Sequence, residues 1–160
     1  MNDYSDLFFT MASIVIFSFL LMQSNQAIFH NDVVQVHHEY EKTAVSIAQS
    51  LIDEARRKTF DESLQGNGTV NVPGDFRQNL GAPENMERAD FSVFDHYHGY
   101  QETIMTDLGA YELDATVTYV SSEPPYVEVT GPTIIKRLEV NVRSIQSDRN
   151  VRLRYLKTHY

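Results

Sequence analysis

The chain has no cysteine, and between Asp3 and Thr59 it has neither glycine nor proline. The first absence removes disulfide frameworks, thiol catalysis, cysteine zinc sites and c-type haem attachment, without fixing the compartment. The second removes the two residues that most often stop a helix. This stretch therefore predicts one helix of roughly 55 residues, about 85 Å long at about 1.5 Å per residue. A third lack is chemical: the sequence holds no nucleophile elbow, phosphate loop, dinucleotide fingerprint or HExxH. Outside the helix roughly a hundred residues remain, enough for one small head and few for a cleft enzyme. No enzymatic activity and no cofactor are expected. Basic residues are missing from Met1 to Asp6, where Asp3 and Asp6 stand instead, and no small-residue cleavage site follows the apolar run. An ordinary secretory signal is not expected, and the apolar segment is expected to stay in the working protein.

The two halves of the predicted helix want different surroundings. Leu7 to Met22 is apolar on every face, and the charge-free run reaches Phe29 through Gln23, Ser24, Asn25 and Gln26. That length crosses a hydrocarbon core of about 30 Å. In the second half, Phe29, Val33, Val36, Tyr40, Ala44, Ile47, Leu51 and Ala55 recur at spacings of three and four. They form one stripe, with the charged residues on other faces. The Ser24-Asn25 region reads either as a place for local unwinding or as polar interfacial residues.

The expected organisation is a helix over 1–60, with a membrane or filament-core half at 1–29 and an amphipathic half at 30–60, and a head over 61–160. Within the head, an irregular loop is expected over 61–112 and a β-meander over 113–160. Gly66-Asn67-Gly68 predicts a turn, Thr69 to Val72 a short extended piece, and Asp75 to Ala110 shows no sustained period. Met86, Phe91, Val93 and Phe94 would anchor that loop, with short helical turns inside it. Leu113–Val120, Ile134–Ser144 and Val151–Tyr155 each alternate apolar with polar residues, the period of a half-buried strand. The fold class expected is α+β, a long N-terminal helix whose amphipathic stripe covers the apolar face of a small antiparallel sheet.

Charge is unevenly placed. From Lys136 to the C-terminus, seven basic residues face two acids, a balance of +5, which leaves −14 for the rest of a chain whose total is −9. Such polarity suits subunits that meet head to tail, and it also suits plain solvated faces. Arg143, Arg149, Arg152, Arg154 and Lys157 read as a basic strand face that meets acidic neighbours, or as a binding face for nucleic acid or anionic polysaccharide. Solvated subunit contact is the favoured reading. Asp95, His96 and His98 have the spacing of metal ligands on an extended segment, but surface loop histidines are favoured over a metal site. His37 and His38 point about 100° apart on a helix and are poor co-ligands.

The order of long bipartite helix, irregular loop and meander resembles type IV pilins and the pseudopilins of type II secretion systems. Phe94-Asp95-His96-Tyr97-His98-Gly99-Tyr100-Gln101-Glu102-Thr103 is similar to an aspartate-aspartate-tyrosine-glycine-tyrosine loop of some minor pilin-like proteins. Lys136-Arg137-Leu138-Glu139-Val140-Asn141-Val142 resembles the strand that follows it. The resemblance implies a pilin-like fold and a filament subunit that self-associates through its apolar helices, bound to the inner membrane before assembly and served by pilus or secretion machinery. At its destination it would form an extracellular filament at the cell surface. It also implies assembly contacts at Met1, Asp3, Ser5 and Asp6. The family's basic leader has no counterpart here, and if Met1 is the first residue of the processed form, Ser5 stands where the family places a glutamate that neutralises a neighbour's terminal amine. The competing expectations are a single-pass anchored binding module, or a minor pseudopilin that does not form long filaments.

Overall fold

The structure, a computed structural model, describes residues 3–64, 72–147 and 149–159, apart from the side chains of Asp3 and residues 25–37. Met1, the Gly66–Gly68 turn and most of the extended piece at Thr69–Val72 lie outside the described residues, as do the side chains of Phe29, Val33 and Val36. The first element, α1, runs over Asp3–Arg56, unbroken through Ser24 and Asn25. With no glycine or proline in it, the backbone ladder meets no interruption. The helix ends by tightening: Arg57 N–H donates to the Glu54 carbonyl at 3.2 Å and Lys58 N–H to the Ala55 carbonyl at 3.1 Å. These three-residue bonds use carbonyls that the α-pattern leaves over.

The chain divides into two compact units, Met1–Glu39 and Tyr40–Tyr160. In the first, Tyr4–Ser24 is long and apolar enough to cross a membrane, with a mean hydropathy of 1.9 and none of it buried. A signal sequence meets the same criteria of length and composition. Its hydroxyls are used internally: Thr10 Oγ1 donates to the Leu7 carbonyl and Ser13 Oγ to the Thr10 carbonyl, both at 2.8 Å. Back-bonding of this kind lets a hydroxyl sit in an apolar surrounding.

The second unit is α+β. Four antiparallel strands lie in the order β1 (Tyr100–Thr106), β2 (Gly109–Tyr119), β3 (Ile135–Ser144) and β4 (Asn150–Thr158). Leu113, Ala115 and Val117 of β2 and Leu138, Val140 and Val142 of β3 face inward. Ala44, Ala48, Leu51, Ile52 and Ala55 of α1 are buried in the same core, with Tyr40 and Ile47 half-buried beside it. The alanines at 44, 48 and 55 keep that helix face thin, and Leu51 and Ile52 are buried in the core shared with the sheet. Phe91, Phe94 and Tyr97, carried by the segment before β1, complete the core.

The sheet has one strand more than periodicity predicts. β1 falls inside the stretch expected to be irregular, because its alternation is disguised: Glu102 points to the half-buried side and Met105 is 75% exposed. Among the described residues, short 3-10 turns at Glu62–Leu64, Pro73–Asp75, Arg88–Asp90 and Phe94–Tyr97 interrupt that stretch, as expected of an anchored loop. β1 and β2 join through Asp107 and Leu108, with Gly109 at φ 113°, a conformation costly for side chains with a Cβ.

Candidate functional site

Three surfaces and one buried cluster hold the chain's chemistry. The apolar surface is the helix over Tyr4–Ser24, where thirteen large side chains from Tyr4 to Met22 are each at least 52% exposed. Leaving such side chains in water costs about 1.5–3 kcal/mol each, on the order of tens of kcal/mol together, so some apolar covering is strongly favoured. Ser5 and Asp6 lie in the first turns of this segment and are exposed. Of the other expected assembly residues, Met1 and the Asp3 side chain lie outside the described residues.

The second surface is the outer sheet face, and it is not uniformly basic. Cross-strand register sets Glu112 opposite Arg143, Asp114 opposite Asn141, and Glu139 opposite Arg154. Arg143 Nη2 reaches Glu112 at 2.8 Å, while Glu139 receives Arg154 at 2.6 Å and Arg152 at 3.4 Å. Arg149 lies 3.6 Å from Glu41, and Lys157 Nζ donates to the carbonyls of Arg56 and Lys58 rather than facing solvent as a free cation. Burial and the nearby Lys136 charge hold the Lys157 pKa below its ordinary value. All five residues therefore have partners within the head, although exposed pairs of this kind contribute only about 0–1 kcal/mol each.

The third surface was expected at the histidines, but the side chains there turn apart. Asp95 and His96 sit in the buried 3-10 turn Phe94–Tyr97. The His96 ring packs edge-on against Phe91, with centroids 5.7 Å apart, and burial lowers its pKa. His98 Nδ1 lies 2.8 Å from the Val117 carbonyl. The expectation of a surface loop fails at His96, because Phe91 and Tyr97 draw the turn into the core. Among the described residues, no group of three or more His, Asp or Glu is placed to hold a metal.

Asp95 belongs instead to a buried cluster that periodicity could have flagged. Lys136 stands in phase with Leu138, Val140 and Val142 on the apolar side of β3, and it is fully buried. Its ammonium donates to Asp61 Oδ2 at 2.6 Å, Asp95 Oδ1 at 2.5 Å and the Phe60 carbonyl at 3.0 Å. The rings of Phe60, Tyr119 and Phe76 lie 4.4, 4.9 and 5.9 Å from Nζ. Asp61 is held from several sides: Ser63 N–H, Ser63 Oγ and Arg77 N–H donate to Oδ1 at 3.0, 2.7 and 3.3 Å, and Tyr119 OH to Oδ2 at 3.2 Å. Burial works to raise the Asp61 pKa, but Lys136 and Ser63 outweigh it and hold the group down to about 2. Burial dominates at Asp95, and against the pull of Lys136 its pKa is pushed up to about 6, with Asp61 adding to the rise. Compared with protein-family models, curated proteins and solved structures, the chain matches none of them.

Proposed function

We propose that the chain is a structural subunit of an extracellular type IV pilus-like filament. The apolar helix holds it in the inner membrane before assembly and joins other copies in the filament core afterwards. The observation that carries this reading is the wholly uncovered Tyr4–Ser24 segment in the same helix whose later turns form the core of an α+β head. Bundling exchanges lipid contacts for helix contacts, so close packing between copies has to supply the gain. The α+β head with its meander supports the pilin-like fold, and the order of elements supports it further. Self-association is the principal partnership, with assembly machinery of a pilus or secretion system acting on the membrane-held form. Nucleic acid or polysaccharide is a weaker partner, because the basic side chains already have partners within the head.

A second reading is a single-pass anchored module or a minor pseudopilin that does not form long filaments. Partition of the native protein between sheared surface material and washed membranes, with electron microscopy of the sheared fraction, separates the two. Abundant recovery in uniform thin filaments is the expected result. Retention wholly in membranes, with filaments absent or built of another protein, would leave only the second reading.

A further inference from the structure

The Lys136 cluster has the parts of a self-ligating site. An amine nucleophile touches one carboxylate at 2.6 Å and a second at 2.5 Å, with all three side chains at most 1% exposed. Around them, Phe60, Phe76 and Tyr119 exclude water. We propose that Lys136 condenses with Asp61 to form an intramolecular isopeptide bond, with Asp95 as the proton carrier.

The assignment of roles follows from the hydrogen bonds. Asp61 Oδ1 faces the N–H groups of Ser63 and Arg77 and the Ser63 hydroxyl, an arrangement of preformed donors that stabilises an oxyanion. Asp61 is therefore the electrophile. Asp95 contacts the nucleophile through Oδ1, while its Oδ2 is buried with no hydrogen-bond partner among the described residues. Asp95 thus has capacity to take up and release a proton, and its upward-shifted pKa of about 6 fits that duty.

The step balances without any co-reactant. One Nζ proton passes through Asp95 to Asp61 Oδ2, and the freed lone pair attacks the carboxyl carbon, now neutral, forming the C–N bond. The negative charge of the tetrahedral intermediate rests on Oδ1. The C–Oδ2 bond then breaks as the Oδ2 hydroxyl takes a second proton from Nζ, again relayed by Asp95, and leaves as water. Asp95 ends as it began, and an ammonium and a carboxylate have become an amide. Fixed contact geometry replaces a bimolecular encounter, and the aromatic wall keeps out the water that would favour the reverse reaction. The product ties the segment just beyond α1 covalently to β3, whether or not the chain builds filaments.

The full chain, purified in detergent and folded by circular dichroism, is weighed intact and then digested for fragment sequencing. The expected wild-type mass is below that of the same chain uncondensed by one water, with a branched fragment joining Lys136 to Asp61. Asp95→Asn is expected to keep the uncondensed mass. A folded wild-type chain at the uncondensed mass overturns the proposal, as does loss of water mapped elsewhere with Lys136 free. A branched fragment through Asp95, or an Asp95→Asn chain that links as fully as wild type, overturns the assigned roles.

Discussion

At the scale of single residues, the polar side chains that matter sit where periodicity forbids them. Arg88 bridges two carboxylates: its Nη2 donates to Glu54 at 2.7 Å and its Nη1 to Glu102 at 2.6 Å. Tyr97 OH donates to Glu54 at 2.7 Å and Tyr100 OH to Glu102 at 2.9 Å. The group joins α1, the turn before β1, and β1 itself. Burial works to raise the Glu54 pKa, but the bonds from Arg88 and Tyr97 outweigh it and leave it below its ordinary value. A carboxylate with a lowered folded-state pKa contributes stability that is full above its unfolded value and is lost as pH falls through the folded one. Arg88→Leu removes the cation and leaves both carboxylates half-buried. It should cost about 2 kcal/mol near neutral pH, and the deficit should narrow as pH falls through the acid range and Glu54 takes up a proton. Denaturant titrations of both chains at several pH values measure this. A deficit that stays constant into acid would show that Glu54 is not the group responsible. The same network explains why β1 escaped the sequence: Glu102 takes an inward position because Arg88 awaits it, and no local pattern announces a partner fourteen residues away. Lys136 was more legible, since it stands in phase with Leu138, Val140 and Val142. Its carboxylate partners, Asp61 and Asp95, come from separate turns that only the folded chain brings together.

At the scale of elements, β2, β3 and β4 were readable because each buries one face and exposes the other, so alternation reports burial directly. Their observed bounds differ from the predicted ones by at most four residues at any end, β2 starting at Gly109 and β3 at Ile135. The contact between α1 and the sheet was readable for a related reason, since Ala44, Leu51 and Ala55 lay on the predicted stripe. Ala48 and Ile52 also prove buried, which widens the contact face beyond that stripe. Ala48 has no exposed surface and sits among the core residues of α1. Ala48→Leu inserts three carbons into a filled interface, and overpacking of this kind costs about 1–3 kcal/mol. Val45, 43% exposed on the same helix, provides the control: Val45→Leu should change stability by less than about 0.5 kcal/mol. Thermal unfolding followed by circular dichroism compares the two, and equal melting temperatures would mean that helix and sheet do not pack closely at Ala48.

At the scale of the whole molecule, the division at Glu39 and Tyr40 separates two kinds of stability. The unit Tyr40–Tyr160 contains its own core of helix, turns and four strands. The unit Met1–Glu39 carries the exposed apolar segment, and none of that segment is buried. Its helical backbone bonds are satisfied internally, but its side chains need a surrounding phase. The two requirements predict different behaviour when the chain is cut. A fragment of residues 40–160 keeps the core alanines, Leu51, Ile52, the Glu54–Arg88 network and the Lys136 cluster. It should therefore be monomeric in aqueous buffer without detergent and unfold in one cooperative transition. The full chain should need detergent or lipid to remain dispersed, because the thirteen exposed apolar side chains remain on it. Size-exclusion chromatography with light scattering, with and without detergent, measures both. If the fragment aggregates while the full chain stays dispersed in plain buffer, the apolar helix is covered by the head in solution. Neither a membrane anchor nor a filament core would then be its role.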